Sequence, residues 1–365
     1  MRLDDYFLTF TKNLAYLDLK ESSDYPVLED IPLPIYVDDM QSGIMTGTMS
    51  ERIEIENFID GMLINIGADR EFLYNEEYKA ILTQFLDDIS KYASSKAIAV
   101  ADEDLNKALL LLRGGYILNS SDNYNSYLYA RFLWPKAYDS DDKYKEDFIR
   151  ESLDILQNTI VNDENFAISY YELGNIYANL GEYIKARSFY DKALQKTDAP
   201  EAENEIRDKL TEINDNAEIE ESLYFIGKGD YNNAIKKLTG LLSNKKRADA
   251  YYYLGVAYQN IGQYENSIMA FENALDAGAE FRELYNDYAV SLFLNDRQVD
   301  ALSVIAEGLE KFPQDPRLVY NKIQINLTIG NIGKAKEDID ELLTYDDLTD
   351  EIRGNLLIIK DQYKI

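Results

Sequence analysis

Reactive chemistry in this chain would rest on carboxylates, amines, guanidinium groups and phenols, because its 365 residues contain neither histidine nor cysteine. That excludes thiolate nucleophiles, disulfides, Cys/His zinc sites and every Ser-His or Cys-His catalytic device. Carboxylates are abundant, at 67 Asp plus Glu. One run, Asp139, Asp141, Asp142, Glu146 and Asp147, has the look of a calcium loop. Such a loop needs Gly at its sixth place and Glu at its twelfth, and these places hold Tyr144 and Arg150. Asp338, Asp340 and Glu341 lie close together, but in so acidic a chain close pairs arise by chance and do not define an acid and a base. Gly227-Lys228-Gly229-Asp230 lacks the spacing of a phosphate loop and suits a turn between helices. Lys245-Lys246-Arg247, the one basic run, follows Leu241-Leu242 at a predicted helix end, where cations favour the free carbonyls. Neither catalysis nor a metal or cofactor is expected.

The 37 Lys plus Arg leave a formal charge of −30, so the surface field repels nucleic-acid phosphates and anionic lipid headgroups. No apolar run approaches the roughly 18 residues that a spanning helix needs. The opening Met-Arg-Leu-Asp-Asp-Tyr is acidic where a secretory signal would be basic. A cytoplasmic protein is expected, with no nucleic-acid or membrane partner; its oligomeric state is open. Hydrophobic residues make up 46% and aromatic residues 12%, with only 7 Pro and 18 Gly, which is enough apolar material for a folded core.

What positions these side chains is a repeat. Tyr170, Leu173, Gly174, Tyr177, Gly181, Tyr183, Ala186, Tyr190 and Ala193 recur, interval for interval, as Tyr251, Leu254, Gly255, Tyr258, Gly262, Tyr264, Ser267, Phe271 and Ala274. The small residue opening the second half of each unit falls at Ala186, Ala234, Ser267, Ala301 and Ala335, with separations of 48, 33, 34 and 34. Within a unit, Tyr170, Leu173, Gly174 and Tyr177 occupy i, i+3, i+4 and i+7, as do Tyr183, Ala186, Tyr190 and Ala193. Each unit is therefore a pair of helices. Gly181, Gly229 and Gly262 sit where the first helix must stop. Small residues at Gly174, Ala186 and Ala193 let the two backbones approach, aromatics fill the remaining volume, and one pair cannot bury both its apolar faces, so the units must stack.

These residues resemble the tetratricopeptide repeat: its Leu-Gly-x-x-Tyr in the first helix, its Ala, aromatic and Ala in the second. The resemblance is strong at 167–200 and 248–281, extends to 282–315 through Tyr285, Ala289, Ala301, Leu309 and Pro313, and to 316–347 through Gly330, Ala335 and Leu342. Residues 215–247 keep Phe225, Gly229, Tyr231 and Ala234 but carry Glu221 where the family has an apolar residue. The resemblance implies an all-α protein built as a right-handed α-α superhelix, whose first helices line a concave face that binds other proteins.

The 48-residue interval carries a surplus at 201–215, with Ile206, Leu210, Ile213 and Ala217 at helical spacing, read as one lengthened first helix, with an inserted short helix as the alternative. Ile352, Leu356, Ile359 and Tyr363 form the stripe of a terminal cap. Upstream, Leu3, Tyr6, Phe7, Phe10, Leu14 and Leu17 predict an amphipathic first helix packed on its own domain. Pro26, Pro32 and Pro34 mark a connector, extended over Ile31 to Val37. Gly114-Gly115 is read as a close helix contact, and Pro135 should end or kink the helix bearing Trp134. The expected organisation is an N-terminal helical region at 1–98 with its Pro-containing connector at 22–50, degenerate helical repeats at 99–160, the repeat array at 161–347 and a capping helix at 348–365.

In the superhelix the resemblance implies, a one-residue step from each core anchor gives the inward stripe. It comprises Tyr171, Asn175 and Asn179; Tyr252, Val256, Gln259 and Asn260; Asn286 and Phe293; and Tyr320 and Gln324. Rings with polar tips interleaved with amides can hold an extended peptide, the rings covering its side chains and the amides pairing with its backbone. Relatives that clamp a C-terminal carboxylate use Lys and Arg on this face, whereas here the places hold Tyr, Asn, Asp and Glu apart from Arg317. The resemblance thus implies a non-catalytic scaffold or adaptor holding a neutral or basic protein segment. An alternative reading follows from length and layout, which also resemble the peptide-pheromone receptors of Gram-positive bacteria, though without an evident helix-turn-helix. Catalysis by residues 1–98 would need a carboxylate or metal mechanism, and no ligand cluster of adequate spacing is present.

Overall fold

The computed structural model describes residues 2–18, 26–38, 55–139, 142–346 and 348–365. Much of the connector at 22–50 therefore lies outside the described residues, as does Asp141 of the acidic run. Among the described residues the fold is all-α, with eighteen α-helices and one two-stranded ribbon. None of these helices is long and apolar enough to cross a membrane. The chain divides into two compact units, residues 1–212 and 213–365.

The first unit opens with α1 (Asp4–Leu8), a 3₁₀ segment (Thr9–Asn13) and strand β1 (Leu14–Leu17). A single helix over Leu3 to Leu17 was the expectation, and α1 stops well short of it. The Thr9 and Thr11 hydroxyls donate to the carbonyls of Tyr6 and Leu8, a local alternative to helix propagation. β1 then pairs antiparallel with β2 (Leu33–Tyr36), from Leu14 opposite Tyr36 to Leu17 opposite Leu33. All four β2 residues are buried, so the ribbon is a wall of the core.

Next come α2 (Ile55–Ala68), α3 (Asn75–Phe85), α4 (Ile89–Val100), α5 (Leu105–Leu118), α6 (Asn123–Asp139), α7 (Asp142–Asn162), α8 (Ala167–Asn179) and α9 (Tyr183–Lys196). α2 and α5 meet backbone to backbone. A Cβ on Gly114 would strike the Leu63 carbonyl, and one on Gly67 the Leu110 carbonyl. One apolar core joins Leu3 and Phe7 to Leu109–Leu112, Tyr129, Phe148 and Ile176. The sequence divisions at 98/99 and 160/161 lie within this unit. Inside it Arg113 is fully buried; its guanidinium bonds to the Gly67 carbonyl and to Asp4 and lies over the Phe7 ring, tying α1 to α2 and α5. α6 runs through Pro135 instead of ending there.

α10 (Pro200–Gly227) is a single helix of 28 residues, and the boundary between units falls within it. The second unit continues with α11 (Tyr231–Leu242), α12 (Ala248–Asn260), α13 (Tyr264–Asp276), α14 (Arg282–Leu294), α15 (Gln298–Lys311), α16 (Pro316–Thr328), α17 (Ile332–Leu342) and α18 (Asp350–Tyr363). α12–α13, α14–α15 and α16–α17 pack as helix pairs, as α8–α9 do in the first unit. In α8–α9, Gly174 lies against the Tyr190 ring; in α12–α13, Gly255 lies against Phe271. The Glu221 departure has a visible consequence: Lys237 of α11 forms ion pairs with Glu218 and Glu221 of α10, and α16–α17 likewise joins its helices through Lys322 and Asp338. α18 buries Leu356 and Ile359 against the last pair.

Candidate functional site

Several of the first-helix residues expected to face inward are tied by hydrogen bonds to the next repeat. Tyr171 on α8 donates its hydroxyl to Glu205 on α10. Tyr252 on α12 donates to Asp287 Oδ2 on α14 at 2.9 Å, its ring edge-on to Phe281 with centroids 4.8 Å apart. Gln259 Nε2 donates to the Asp287 carbonyl and to Ser291 Oγ, both at 2.9 Å. Asn321 Nδ2 on α16 donates to Asn286 Oδ1 at 2.7 Å. Burial and the neighbouring carboxylates push the Tyr171 and Tyr252 phenols above their ordinary pKa. Both therefore remain neutral donors at physiological pH.

The eleven predicted residues all lie on first helices, and none is fully buried. They do not share one role. Asn179 and Asn260 donate to the carbonyls of Asn175 and Val256, four residues back in their own helices, and so close helix ends. Val256 packs on the apolar cluster around Phe271 and Leu284, and Tyr320 on the C-terminal cluster. Phe293 and Gln324 meet, with Val290 and Ile325, at a cavity of about 300 Å³ between α14 and α16.

In the first unit, Tyr171 and Asn175 open onto a larger cavity of about 470 Å³. Three helices build it. α6 supplies Tyr127 and Arg131 at i and i+4. α8 supplies Ile168, Tyr171, Glu172 and Asn175 at i, i+3, i+4 and i+7. α10 supplies Ala202, Glu205 and Ile206 at i, i+3 and i+4. One face of each helix thus points at the same space. Glu172 is only 8% exposed and its carboxyl is held above the usual range by burial, which outweighs the Asn175 hydrogen bond and the Arg131 charge. Asn175 Nδ2 donates to Glu172 Oε2 at 3.2 Å, and Asn175 Oδ1 accepts from Tyr190 at 2.8 Å. Arg131 donates to the Tyr127 hydroxyl at 2.8 Å.

Sequence reasoning missed Tyr127, Arg131, Glu172 and Glu205. The signal for Glu205 was available, since it follows Tyr171 by 34 residues and Asp287 follows Tyr252 by 35, about one repeat in each case. Among the described residues no group of three or more carboxylates is placed to hold a metal ion.

Family models of the tetratricopeptide repeat match residues 167–199 and 248–277. A TPR repeat-containing protein of Methanocaldococcus jannaschii is 24% identical over 253 residues, 67% of this chain and 39% of that protein, so the chain spans about two fifths of that relative's length. Among solved structures, YrrB, titled a TPR protein with an unusual peptide-binding site, is 19% identical with a TM-score of 0.39, covering 57% of this chain and 98% of that one. PilW, titled a widely conserved type IV pilus biogenesis factor, is 16% identical with a TM-score of 0.42, covering 62% and 98%. Two matched repeats, a relative of the same kind, and helix pairs recurring at the predicted spacing agree: the chain carries tetratricopeptide repeats at 167–199 and 248–277.

Proposed function

We propose that this protein is a non-catalytic scaffold, whose first-helix faces hold a neutral or basic segment of a partner protein. The observation that carries the reading is the cavity on α14 and α16. There Val290, Phe293 and Ile325 offer apolar surface beside the Gln324 and Asn321 amides, all on first helices. Apolar pockets bordered by a few fixed polar groups are how peptide side chains and backbone are recognised together. The net charge of −30 disfavours acidic segments, nucleic acid and anionic membrane surfaces as partners.

Peptides selected from a random display library against the full chain test the reading. A Phe293→Ala/Gln324→Ala double variant should bind the selected peptides about tenfold or more weakly, since buried aromatic anchors dominate such interfaces. Its circular dichroism should match the parent. Unchanged affinity in the double variant would remove this face from the function. The alternative, a peptide-responsive regulator, additionally requires a change in scattering radius on saturation with the same peptides.

A further inference from the structure

The cavity of the first unit has a chemistry of its own. Its deepest polar group is Glu172, of which only 8% is exposed. One carboxylate oxygen, Oε2, accepts from Asn175 at 3.2 Å; Oε1 takes no hydrogen bond from the described residues. Arg131 lies at the exposed rim and is bonded to Tyr127, without coming within ion-pair distance of Glu172. A second carboxylate, Glu205, is fixed on the opposite wall by the Tyr171 hydroxyl. The rings of Tyr127 and Tyr171 line the same cavity, and Ile168, Ala202 and Ile206 add apolar surface to it. Oε1 is open to the cavity, not sealed from solvent, and there a cation or donor can take the place of water against a largely buried carboxylate. Aromatic faces beside it add attraction for a positive group, and apolar walls cover the methylenes of its stem.

We infer that this cavity receives the side chain of an arginine or lysine from a bound peptide, its cationic head between Glu172 and Glu205 and its stem along Tyr127, Tyr171 and Ile168. This rests on the peptide-binding reading and adds to it a fixed point of recognition. The volume of about 470 Å³ takes such a side chain together with the flanking peptide backbone. The local balance, two carboxylates against one rim guanidinium, sets the sign of the ligand. The raised pKa of Glu172 is consistent with a carboxyl awaiting a counter-charge.

The test uses the full chain and fluorescent peptides that place one arginine, lysine or citrulline in an otherwise uncharged selected sequence, read by polarisation at near-physiological salt. Citrulline keeps the shape of arginine and loses its charge. Arginine and lysine peptides should bind at least tenfold more tightly than the citrulline peptide. Glu172→Gln, which keeps an acceptor for Asn175, should reduce that preference to within about twofold, and Glu205→Gln should reduce it in part. Asp276→Asn, on α13 in the other unit, controls for the general negative field and should leave the preference intact. Equal binding of arginine and citrulline peptides to the parent overturns the inference, as does a preference that survives Glu172→Gln. If the preference survives Glu172→Gln while the Phe293→Ala/Gln324→Ala variant still loses affinity, the cavity is excluded and the peptide-binding reading stands. If none of these peptides binds the parent, both are rejected.

Discussion

A Cβ placed on Gly255 would lie 2.6 Å from Phe271 Cδ1, and one on Gly174 would lie 2.5 Å from Tyr190 Cδ1. Both glycines sit inside helices, where Ala would ordinarily gain about 0.8–1 kcal/mol of propensity. Both rings are pinned on their other side: Tyr190 donates to Asn175, and Phe271 is fully buried. The ring cannot retreat, and overpacking costs about 1–3 kcal/mol. Gly255→Ala should therefore destabilise by about 1–2 kcal/mol, the overpacking cost exceeding the propensity gain. Gly240 in α11 provides the contrast, because nothing stands within 4 Å of its missing Cβ. Gly240→Ala should stabilise by about 0.5–1 kcal/mol, from reduced unfolded-chain entropy and better propensity. Urea unfolding midpoints of the two variants check the pair; shifts in the same direction would contradict the argument.

The five turns that join the first helix of a pair to its second share one hydrogen bond, from the residue after the turn position to the carbonyl five residues back: Glu182 to Tyr177, Asp230 to Phe225, Gln263 to Tyr258, Arg297 to Leu292 and Asn331 to Asn326, at 2.8–3.0 Å. This is the Schellman closure, and it requires a left-handed residue at the turn. Gly181, Gly229, Gly262 and Gly330 supply it with φ of 73–81°. In the fourth turn Asp296 takes the same conformation at φ 57°, a strained choice for a residue with a Cβ. Asp296→Gly should raise stability by about 0.5–1 kcal/mol and Gly262→Ala should lower it by about 1 kcal/mol, as thermal melts would report. The turns at Gly181, Gly229 and Gly262 were legible in the sequence because Gly serves the position most cheaply, and the helix pairs because small and aromatic residues alternate at fixed spacing; the turn at Asp296 carries no such mark. The helical character of the surplus at 201–215 was legible as well, since its apolar residues keep the helical period; that it forms one continuous helix, and not an inserted one, is seen only in α10. The N-terminal stripe misled, because helical spacing continues through Thr9 to Leu17 while two threonine hydroxyls and a distant strand decide the outcome. Pro135 did not stop α6, whose faces are held by Tyr129 and Ala137 in the core. For the candidate site, the sequence placed Tyr171, Tyr252 and Asn286 on the inward stripe of first helices, and all three are half-buried there. It did not reveal that their polar tips are tied to the next repeat, because those partners lie a full period away.

Charge acts on the chain in two ways that point in the same direction. The net −30 repels itself in the compact state, an effect that added salt screens and mild acid reduces. Independently, burial raises the pKa of Asp60, Glu151 and Glu172 above their ordinary values of 3.8, 4.5 and 4.5. Tyr92 donates to Asp60 at 2.8 Å and Tyr129 donates to Glu151 at 3.0 Å, and neither bond offsets the desolvation. A carboxyl whose folded pKa lies above its unfolded one binds a proton more tightly when folded. Its favourable contribution is complete below the ordinary carboxylate value and is lost as pH rises through the raised one. The melting temperature should therefore be higher at about pH 5.5 than at pH 8 at fixed ionic strength, the reverse of a protein stabilised by paired carboxylates. Raising NaCl from about 20 to 300 mM should increase the melting temperature more at pH 8 than at pH 5.5, because more surface repulsion remains to be screened. Glu151→Gln should flatten the pH dependence by removing one of the three groups. A melting temperature that falls on acidification to pH 5.5 would mean that surface ion pairs such as Lys360–Asp340 and Arg2–Asp154 outweigh both the buried acids and the net charge.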